Sequence, residues 1–584
     1  MRLPSTIAFL MSATALPGAA FAQSGEISAR ALDNSAAAIA DLAKARPVMA
    51  RHAMVVSDQH LASDVGVAIL KQGGNAVDAA VAVGYALAVT DPCCGNIGGG
   101  GFMLIHLAGG TNLFLDFREK APSQATATIF QDAAGNVVPG KSINSWLAVG
   151  VPGTVMGLNT ALARYGTMPL KKVIAPAIAL AKNGFVLVPG DVKVLDRRAA
   201  DFATEPNVAR TFLNQGQPFV AGETLRQPQL ARTLATIATG GTPAFYSGPI
   251  AVAVAAASEA NGGLLTRKDF ADYTVKWDTP VTCDYRGYAV IAAPPPSSGG
   301  ATVCEILQTV SGYPLKDWGY GSVKATHYLV EAERRAFADR NTNLGDPAFV
   351  RNPVMQLISA PHAARLRAGI SPDRATPSSE IHGTVMPAEE TDTTHYSVVD
   401  AHGNAVSVTY TINYLFGVGK IAGDTGFFLN NEMDDFTSKP GVANGFGLVQ
   451  GAANAVAGGK RPLSSMSPTM LLKDGKPYMV TGSPGGSTII TTVTQSIVNV
   501  VDFGMNMQAA VDAPRFHHQW LPDQVMVEPG YLTPQTRATL EGMGHSFKET
   551  LSWGADEAIL IDPKTGELQG ANDHRRPAGS AVGY

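Results

Sequence analysis

The sequence predicts a layered fold of mixed helices and strands, of the α/β or α+β class, rather than a parallel doubly wound sheet. Residues 155–345 carry mainly helical patterns, such as LKKVIAPAIALAKNGF and ATHYLVEAERRAFADRNTNLGDP. After residue 392 the pattern changes to short strand-like runs, namely HYSVVD, AVSVTYTI, PTMLLK, PYMVTG and DEAILID. The glycine-rich NIGGGGFM does not form a GxGxxG fingerprint within a strand–helix–strand unit, and the chain shows no solenoid repeat.

The N-terminal segment has the pattern of a secretory signal peptide. Arg2 precedes an apolar run, and Ala20-Phe21-Ala22 forms a small-x-small cleavage site. The alternative is an N-terminal anchor, but Ser, Thr and Pro interrupt the run, which is short for a bilayer span. We therefore expect residues 1–22 to be removed and the mature protein to be soluble and periplasmic or secreted, with no membrane segment.

The first half of the chain continues with recognisable elements. Residues 23–50 are alanine-rich, which indicates a helix or a poorly ordered segment. Small apolar residues at helical spacing on both sides of Gly73-Gly74 predict two closely packed helices. NIGGGGFMLIHL predicts tight backbone packing or an oxyanion-type turn before a strand, and TNLFLDFREKAP predicts a strand that ends in charge. PPPSSGGATVCEIL reads as a loop that enters a helix, and the polar residues 371–392 read as a loop.

Composition excludes several classes of function. The 584 residues are 45% hydrophobic and 16% charged, with 61 glycines, which is typical of a globular chain with many tight turns. The net charge is −4 and no basic tract occurs, so we expect neither nucleic acid nor an anionic membrane as a partner.

Cysteine and histidine usage indicates disulfides rather than metal. Export permits disulfides, but the sequence leaves the pairing open: Cys93 and Cys94 are either bridged or thiols, and Cys283 can pair with Cys304. No Cys/His spacing indicates zinc, and the adjacent His517-His518 pair would point to opposite faces of a strand. We expect no metal and no organic cofactor.

The stretch EETDTTHYSVVDAHGNAVSVTYTIN predicts a hairpin whose loop is DAHGN. If the hairpin is symmetric about His402, opposed residue numbers sum to 804, and Thr393 faces Thr411. Opposed Cβ atoms lie roughly 4.5–5.5 Å apart, so the two hydroxyls are within reach of a hydrogen bond. Asn413, two residues further on, lies on the same face.

A threonine becomes a strong nucleophile when it is a chain N-terminus, because its own α-amine then serves as the base for its hydroxyl. This chemistry requires cleavage of the Asp392–Thr393 bond. Thr393 can perform it by attacking the Asp392 carbonyl to give an ester that water hydrolyses. The alternative is an edge hairpin with ordinary threonines.

Several long motifs in fixed order resemble those of the γ-glutamyltranspeptidase family: NIGGGGFM, LDFREKAP, GVPGT, PPPSSGG, TTHYSVVD, GNAVSVTYTIN, LNNEMDDF, KRPLSSMSPT, TGSPGGS and APRFHHQWLPD. The resemblance runs from about residue 50 to the C-terminus. It implies an N-terminal nucleophile hydrolase fold, a four-layer αββα sandwich. It also implies a zymogen that cleaves itself into a large subunit, 23–392, and a small subunit, 393–584, which remain together as a heterodimer.

The resemblance also implies roles for ten residues. Thr393 matches the nucleophile and new N-terminus, Thr411 the residue hydrogen-bonded to it, and Gly485 and Gly486 the oxyanion hole. The residues that match substrate-binding positions are Arg118, Ser464 and Ser465, for the glutamyl α-carboxylate, and Asn413, Glu432 and Asp435, around the α-ammonium.

The individual motifs also have simpler interpretations. Arg118 can form a surface ion pair with a neighbour such as Glu119, and Glu432 with Asp435 can form an acidic turn. One residue departs from the family: many bacterial members have Tyr where this chain has Phe446, in the loop that covers the glutamyl pocket. Phe446 lacks the hydroxyl that bonds to the position of Asn413, so we expect a looser or differently held lid.

The implied function is that of a γ-glutamyltransferase and glutathione hydrolase, which passes the γ-glutamyl group of glutathione or related amides to water, amino acids or dipeptides. The first alternative is a cephalosporin or glutaryl acylase of the same fold. The second is a non-catalytic periplasmic γ-glutamyl-binding protein whose chain is never cut.

Overall fold

A computed structural model describes residues 42–381 and 393–584. The expected signal peptide, Asp392 and the second half of the predicted polar loop, residues 382–392, therefore lie outside the described residues. The strands are β1 (Val48–Ala50), β2 (Met54–Ser57), β3 (Gly100–His106), β4 (Asn112–Phe117), β5 (Phe185–Val186), β6 (Thr224–Leu225), β7 (Lys276–Asp278), β8 (Val281–Tyr285), β9 (Tyr288–Ala292), β10 (Thr394–Val399), β11 (Ala405–Thr411), β12 (Thr469–Lys473), β13 (Lys476–Thr481), β14 (Phe516–His517), β15 (Val525–Val527), β16 (Phe547–Glu549), β17 (Ala558–Ile561), β18 (Leu568–Ala571) and β19 (Ser580–Gly583).

The described helices of eight or more residues are His60–Lys71, Ala76–Thr90, Thr154–Tyr165, Leu170–Asn183, Pro189–Asp196, Pro228–Tyr246, Pro249–Ala260, Gly299–Val310, Val323–Asn343, Ala360–Ala368, Thr488–Val501 and Pro534–Gly542. Shorter α-helices are Lys141–Asn144, Ala199–Phe202, Pro206–Phe212, Arg267–Ala271, Leu315–Trp318, Val354–Leu357 and Met507–Asp512. Single 3₁₀ turns are Trp146–Ala148, Ser378–Glu380, Glu432–Asp435 and Ala452–Asn454.

Two seven-stranded sheets form the centre of the fold. The first, which we call the nucleophile sheet, has the order β19-β2-β10-β11-β3-β4-β7, and the second, the facing sheet, has the order β1-β18-β17-β13-β12-β9-β8. The registered strand pairs within both sheets are antiparallel. A parallel doubly wound sheet is thereby excluded, as predicted.

Alternating side chains of the nucleophile sheet enter two different cores. In β3, Met103 and Ile105 pack with the helices that contain residues 60–90, whereas Phe102 and Leu104 pack with side chains of the facing sheet. Successive side chains of a strand point to opposite faces, so both faces of this sheet are buried. The other side of the facing sheet is covered by helices that include Gly299–Val310 and Thr488–Val501. The four-layer αββα sandwich is confirmed.

Most predicted elements are confirmed, with two differences. The helices on either side of Gly73-Gly74 are present, and Asn75 caps the second by accepting hydrogen bonds from the amides of Val77 and Asp78. Strands β7–β9 occur inside the region that the pattern predicts to be mainly helical. The pattern does not reveal them because they are too short to change the helical character of the region. Residues 48–50, within the alanine-rich segment, form β1 instead of a helix.

Both sheets draw strands from both sides of Thr393. In the nucleophile sheet β2 lies between β19 and β10, and β3 pairs with β11; in the facing sheet β1 pairs with β18 and β9 with β12. The two predicted subunits, if cut before Thr393, would therefore share one αββα unit.

The structure joins the cysteines in two pairs, Cys93 with Cys94 and Cys283 with Cys304. Among the described helices, none combines the length and apolar content that a bilayer span requires.

Candidate functional site

The hairpin β10–β11 has the predicted register. His395 pairs with Thr409 and Val399 with Ala405, so opposed residue numbers sum to 804. Thr393 directly precedes β10, and its hydroxyl donates a hydrogen bond to Thr411 Oγ1 at 3.2 Å. The hairpin lies in the middle of the nucleophile sheet, between β2 and β3, and both threonines are buried. The alternative of an edge hairpin is therefore wrong.

Glycines position β3 against the strand that ends at Thr411. A Cβ atom on Gly99 would lie 1.8 Å from the Thr411 carbonyl oxygen, and one on Gly101 would lie 2.4 Å from that of Thr409. No residue with a side chain fits at these positions without moving the backbone. Of the two expectations for NIGGGGFM, the structure shows tight backbone packing.

A single cavity brings together nine of the ten predicted site residues. Gly485 is the tenth and directly precedes a lining residue. The lining residues are Arg118, Thr393, Thr411, Asn413, Glu432, Asp435, Phe446, Ser464, Ser465, Met466, Gly486, Ser487 and Ile489. Met466, Ser487 and Ile489 were not predicted, although Met466 and Ser487 directly follow the predicted residues Ser465 and Gly486.

Arg118 is fully buried and joins the two acidic residues of the cavity. Its Nη1 donates to Glu432 and its Nη2 donates to Asp435, while Nε donates to the Pro462 carbonyl at 3.3 Å. Glu119 lies beside it, with 3.6 Å between Nη1 and Oε2. The interpretation of Arg118 as a surface ion pair is wrong, because both partners of that pair are buried.

Two factors determine the pKa values of Arg118 and the three acids around it: burial, and the excess of carboxylates over guanidinium groups. Burial opposes the charge of Arg118, but the carboxylates of Glu432, Asp435 and Glu119 raise the pKa of its guanidinium above the ordinary value. Burial raises the pKa of Glu119 to about 7 and also raises the pKa values of Glu432 and Asp435, against the lowering effect of Arg118. Three carboxylates face the guanidinium of Arg118, and a second guanidinium, that of Arg340, acts on Asp435. Acid still exceeds base, so a ligand that brings a positive charge is favoured here.

Ser464 and Ser465 form another part of the cavity wall, two residues beyond Pro462, whose carbonyl accepts a hydrogen bond from Arg118. Ser464 Oγ accepts a hydrogen bond from the Met466 amide at 3.0 Å, and Ser465 Oγ accepts one from Arg340 Nη2 at 2.8 Å. Each hydroxyl thus keeps its proton for another acceptor. Arg340 was missed by the sequence analysis, since it lies in the helix Val323–Asn343, 125 residues before its partner.

Gly485 and Gly486 lie at the N-terminus of the helix Thr488–Val501. Their φ angles are +131° and +54°, in the region that favours glycine. The positive end of the helix dipole stabilises negative charge at this point. The surroundings suit an oxyanion.

Phe446 is held by an aromatic contact in place of a hydroxyl. Its ring stacks on Tyr414 at a centroid distance of 4.8 Å and an interplanar angle of 2°. Tyr414 Oη in turn donates to Asp434 Oδ2 at 3.0 Å, and the amide of Gly445 donates to the same oxygen at 3.0 Å. Burial raises the pKa of Asp434 to about 6. Tyr414 and Asp434 together anchor the loop in a way that the sequence analysis did not identify.

Thr394 differs from its neighbour in its surroundings. It is a buried strand residue, and its hydroxyl donates to Asp58 Oδ2 at 2.7 Å. It does not line the cavity. The two adjacent threonines are thus distinguished by position, with only Thr393 facing the cavity.

Two groups of described residues have ligand atoms close enough for a metal, but in both groups bonds to protein atoms occupy those ligand atoms. Cys93 and Cys94, in the group with Asp91, are joined as a disulfide. In the group of Glu305, Asp339 and His362, Arg365 donates to His362 Nδ1 at 2.7 Å. His362 Nε2 lies 3.0 and 3.1 Å from carboxylate oxygens of Glu305 and Asp339.

Comparison with known proteins gives a consistent result. Residues 62–583 match the sequence profile of the family described as gamma-glutamyltranspeptidase. The glutathione hydrolase proenzyme of Pseudomonas sp. (strain A14) is 52% identical over 547 residues, which cover 92% of this chain and 95% of that relative. The glutathione hydrolase proenzyme of Escherichia coli (strain K12) is 50% identical over 542 residues, with coverage of 92% and 93%.

Among solved structures, the cephalosporin acylase from Bacillus halodurans has a similar fold. Its TM-score is 0.81 at 30% identity, and the superposition covers 92% of this chain and 97% of that one. The fold is therefore shared between two kinds of acyl-transfer enzyme, and the side chains in the cavity must distinguish them.

Proposed function

This chain belongs to the gamma-glutamyltranspeptidase family, and from that membership we propose that it is a self-processing γ-glutamyltransferase and glutathione hydrolase. The observation that carries the proposal is the Thr393 hydroxyl, which is hydrogen-bonded to Thr411 and faces the same cavity as Arg118 and Gly486.

Processing comes first and uses the same hydroxyl. Thr393 Oγ1 attacks the carbonyl of Asp392, and the peptide nitrogen leaves as an amine while an ester forms. Water then hydrolyses the ester, which frees the carboxylate of Asp392 and the α-amine of Thr393. That amine is the base of the mature enzyme.

In turnover, Thr393 Oγ1 attacks the γ-carbonyl of the substrate, and its proton passes to the α-amine and then to the departing amine. The Gly485–Gly486 turn stabilises the oxyanion. The γ-glutamyl ester of Thr393 then passes to water or to the amine of an amino acid or dipeptide. The large and small subunits, 23–392 and 393–584, act as one unit, and we place the enzyme in the periplasm or outside the cell.

Substrate recognition is an exchange of ion pairs. In the cavity Arg118 pairs with Glu432 and Asp435. A γ-glutamyl group carries both an α-carboxylate and an α-ammonium, so it offers the arginine a new anion and the two acids a new cation. The buried charges remain compensated in the complex, which is the condition for binding them at low cost.

The same exchange argues against the acylase alternative. A glutaryl side chain supplies the carboxylate without the ammonium, so Glu432 and Asp435 would lose Arg118 and gain nothing. Breaking a buried ion pair costs about 3–5 kcal/mol, which corresponds to a preference for γ-glutamyl over glutaryl anilide of about 150- to 5,000-fold. A preference for the glutaryl substrate would refute the proposed specificity.

The nucleophile is tested with two adjacent substitutions. Thr393→Ala removes the hydroxyl that faces the cavity, and we expect a single uncut band on denaturing electrophoresis and no cleavage of γ-glutamyl anilide. Thr394→Ala is the matched control: it removes the hydroxyl bonded to Asp58 and should leave a cut, active enzyme of reduced stability. Cutting and turnover that survive in Thr393→Ala would refute the assignment. An uncut and inactive wild type would favour a binding protein.

A further inference from the structure

Arg340 is a buried arginine behind the cavity wall. It is 1% exposed, and its side-chain hydrogen bonds go to neutral oxygens: Nε donates to Ser298 Oγ at 2.9 Å, Nη1 to Asn341 Oδ1 at 2.7 Å and Nη2 to Ser465 Oγ at 2.8 Å. These neutral hydrogen-bond partners do not cancel the positive charge of the guanidinium, so its electric field acts on neighbouring groups.

The hydrogen bonds of Arg340 fix the two serines of the wall at separate points. Ser465 Oγ accepts directly from Nη2. Ser298 Oγ, which accepts from Nε, donates in turn to the Ser464 carbonyl at 2.7 Å. The Ser464–Ser465 segment is therefore held by one side chain from the helix Val323–Asn343.

The bond to Ser465 also orients a proton. A serine hydroxyl has one proton and two lone pairs. One lone pair of Ser465 Oγ accepts a hydrogen bond from a cationic donor. The O–H is therefore polarised, and it remains available to donate into the cavity. An anion that faces Ser465 then receives a hydrogen bond strengthened by the charge behind it.

We propose that Arg340 is a positioning residue for recognition of the substrate carboxylate, acting through Ser465 and in partnership with Arg118, which lines the same cavity. The inference deepens the proposed function and rests on it. Arg340 does not touch the substrate; it sets the direction and strength of the Ser465 donor. The carboxylate is thus held between a direct guanidinium contact and a hydroxyl that a second guanidinium supports.

The burial of Arg340 agrees with this role. Burial lowers the pKa of its guanidinium to about 10, against the raising effect of Asp435. Arg340 therefore stays charged at neutral pH, and a bound carboxylate adds a compensating charge nearby.

The test is a double-mutant cycle between Arg340→Met and Ser465→Ala, assayed with γ-glutamyl anilide. Methionine preserves most of the volume and removes the charge. Each single variant should raise KM about 10-fold with kcat changed less than 3-fold, because an interaction present in both ground and transition states affects binding alone. The double variant should raise KM no further than the worse single variant, since both single substitutions remove the same hydrogen bond between Arg340 and Ser465. Arg340→Lys, which keeps the charge, should recover at least half of the loss on a logarithmic scale.

Arg335→Met is the matched structural control. Arg335 lies on the same helix, is also buried, and donates to Glu331, Gly369 and Thr376, away from the cavity. It should lower stability and leave KM unchanged. Multiplicative effects of Arg340→Met and Ser465→Ala, an unchanged KM in Arg340→Met, or a loss confined to kcat would overturn the inference. Should Arg340→Met remain uncut and unfolded, Arg340→Gln, which removes the charge and keeps a polar side chain, takes its place in the same cycle and is judged by the same criteria. A wild type that does not cleave γ-glutamyl anilide would refute the proposed function itself, which separates the two failures.

Discussion

Replacement of Thr411 by valine separates catalysis from stability at this site. Valine has nearly the shape of threonine and is favoured in strands, so the substitution deletes one hydroxyl and leaves the packing intact. Thr411 Oγ1 accepts two hydrogen bonds, from the Thr393 hydroxyl at 3.2 Å and from the Asn413 amide at 2.8 Å. The two bonds affect different measurements.

The bond from Thr393 positions the nucleophile. A hydrogen bond of this kind contributes about 0.5–1.5 kcal/mol, so its loss should lower kcat about 2- to 13-fold. The amide of Asn413 would be left buried without that acceptor, which costs about 1–3 kcal/mol of unfolding free energy. Because Asn413 has a φ of +79° and lines the cavity, its displacement should also raise KM.

The assay uses the fraction of Thr411→Val that has been cut, determined by denaturing electrophoresis, and normalises the rate of γ-glutamyl anilide cleavage to it. Urea unfolding of the same preparation gives the stability change. Thr411→Ser, which retains the hydroxyl, is the control and should remain within about 3-fold of wild type. A Thr411→Val enzyme with unchanged kcat, or a serine variant as impaired as the valine variant, would refute the role of this hydroxyl.

Three other predictions concern the walls of the cavity. Glu432→Gln should lower the preference for γ-glutamyl over glutaryl anilide at least about 10-fold. When a glutaryl carboxylate pairs with Arg118 in this variant, only Asp435 is left as a charged acid without its partner, instead of both Glu432 and Asp435. An unchanged ratio of the two kcat/KM values would contradict this. Glu119, whose pKa is raised to about 7, is neutral below that pH and charged above it. Its negative charge competes with the substrate carboxylate for Arg118, so KM should rise as the pH increases through 7, and Glu119→Gln should remove the rise. The raised pKa also means that the stability contributed by neutral Glu119 is lost as the pH rises from about 4.5 to 7, which a comparison of wild type and Glu119→Gln in urea at several pH values should reveal. Tyr414→Leu removes the ring under Phe446, worth about 0.5–1.5 kcal/mol, and should raise KM about 2- to 13-fold; an unchanged KM would show that the stack does not hold the lid.

The hairpin could be predicted in detail because its determinants are local. The turn formers of residues 400–404 fix the register, and alternation fixes the faces, so the contact between Thr393 and Thr411 follows from the sequence. The tight packing at Gly99 and Gly101 was one of two stated expectations, and the backbone of β11 decides between them.

The contacts of the charged residues could not be predicted in the same way. The family resemblance assigned Arg118 to a carboxylate of the substrate and Glu432 with Asp435 to its ammonium. In the structure these groups pair with one another, across 314 and 317 residues of chain. Sequence patterns describe neighbours on one element, and the distances between elements depend on how whole layers pack. Arg340 was missed for the same reason, since an arginine near the end of a long helix has no local sign that distinguishes it from a solvent-exposed one.

The interleaved sheets have a consequence for the physical chemistry of the mature protein. Among the described strands, a cut before Thr393 leaves five ladders that join the two pieces: β19–β2, β2–β10 and β11–β3 in the nucleophile sheet, and β1–β18 and β12–β9 in the facing sheet. Unfolding of the uncut chain yields one molecule, but unfolding of the cut protein yields two. Refolding then becomes a second-order reaction, and the apparent stability depends on protein concentration. Self-cleavage would thus convert a chain that can refold alone into two chains whose refolding becomes slower and less complete on dilution.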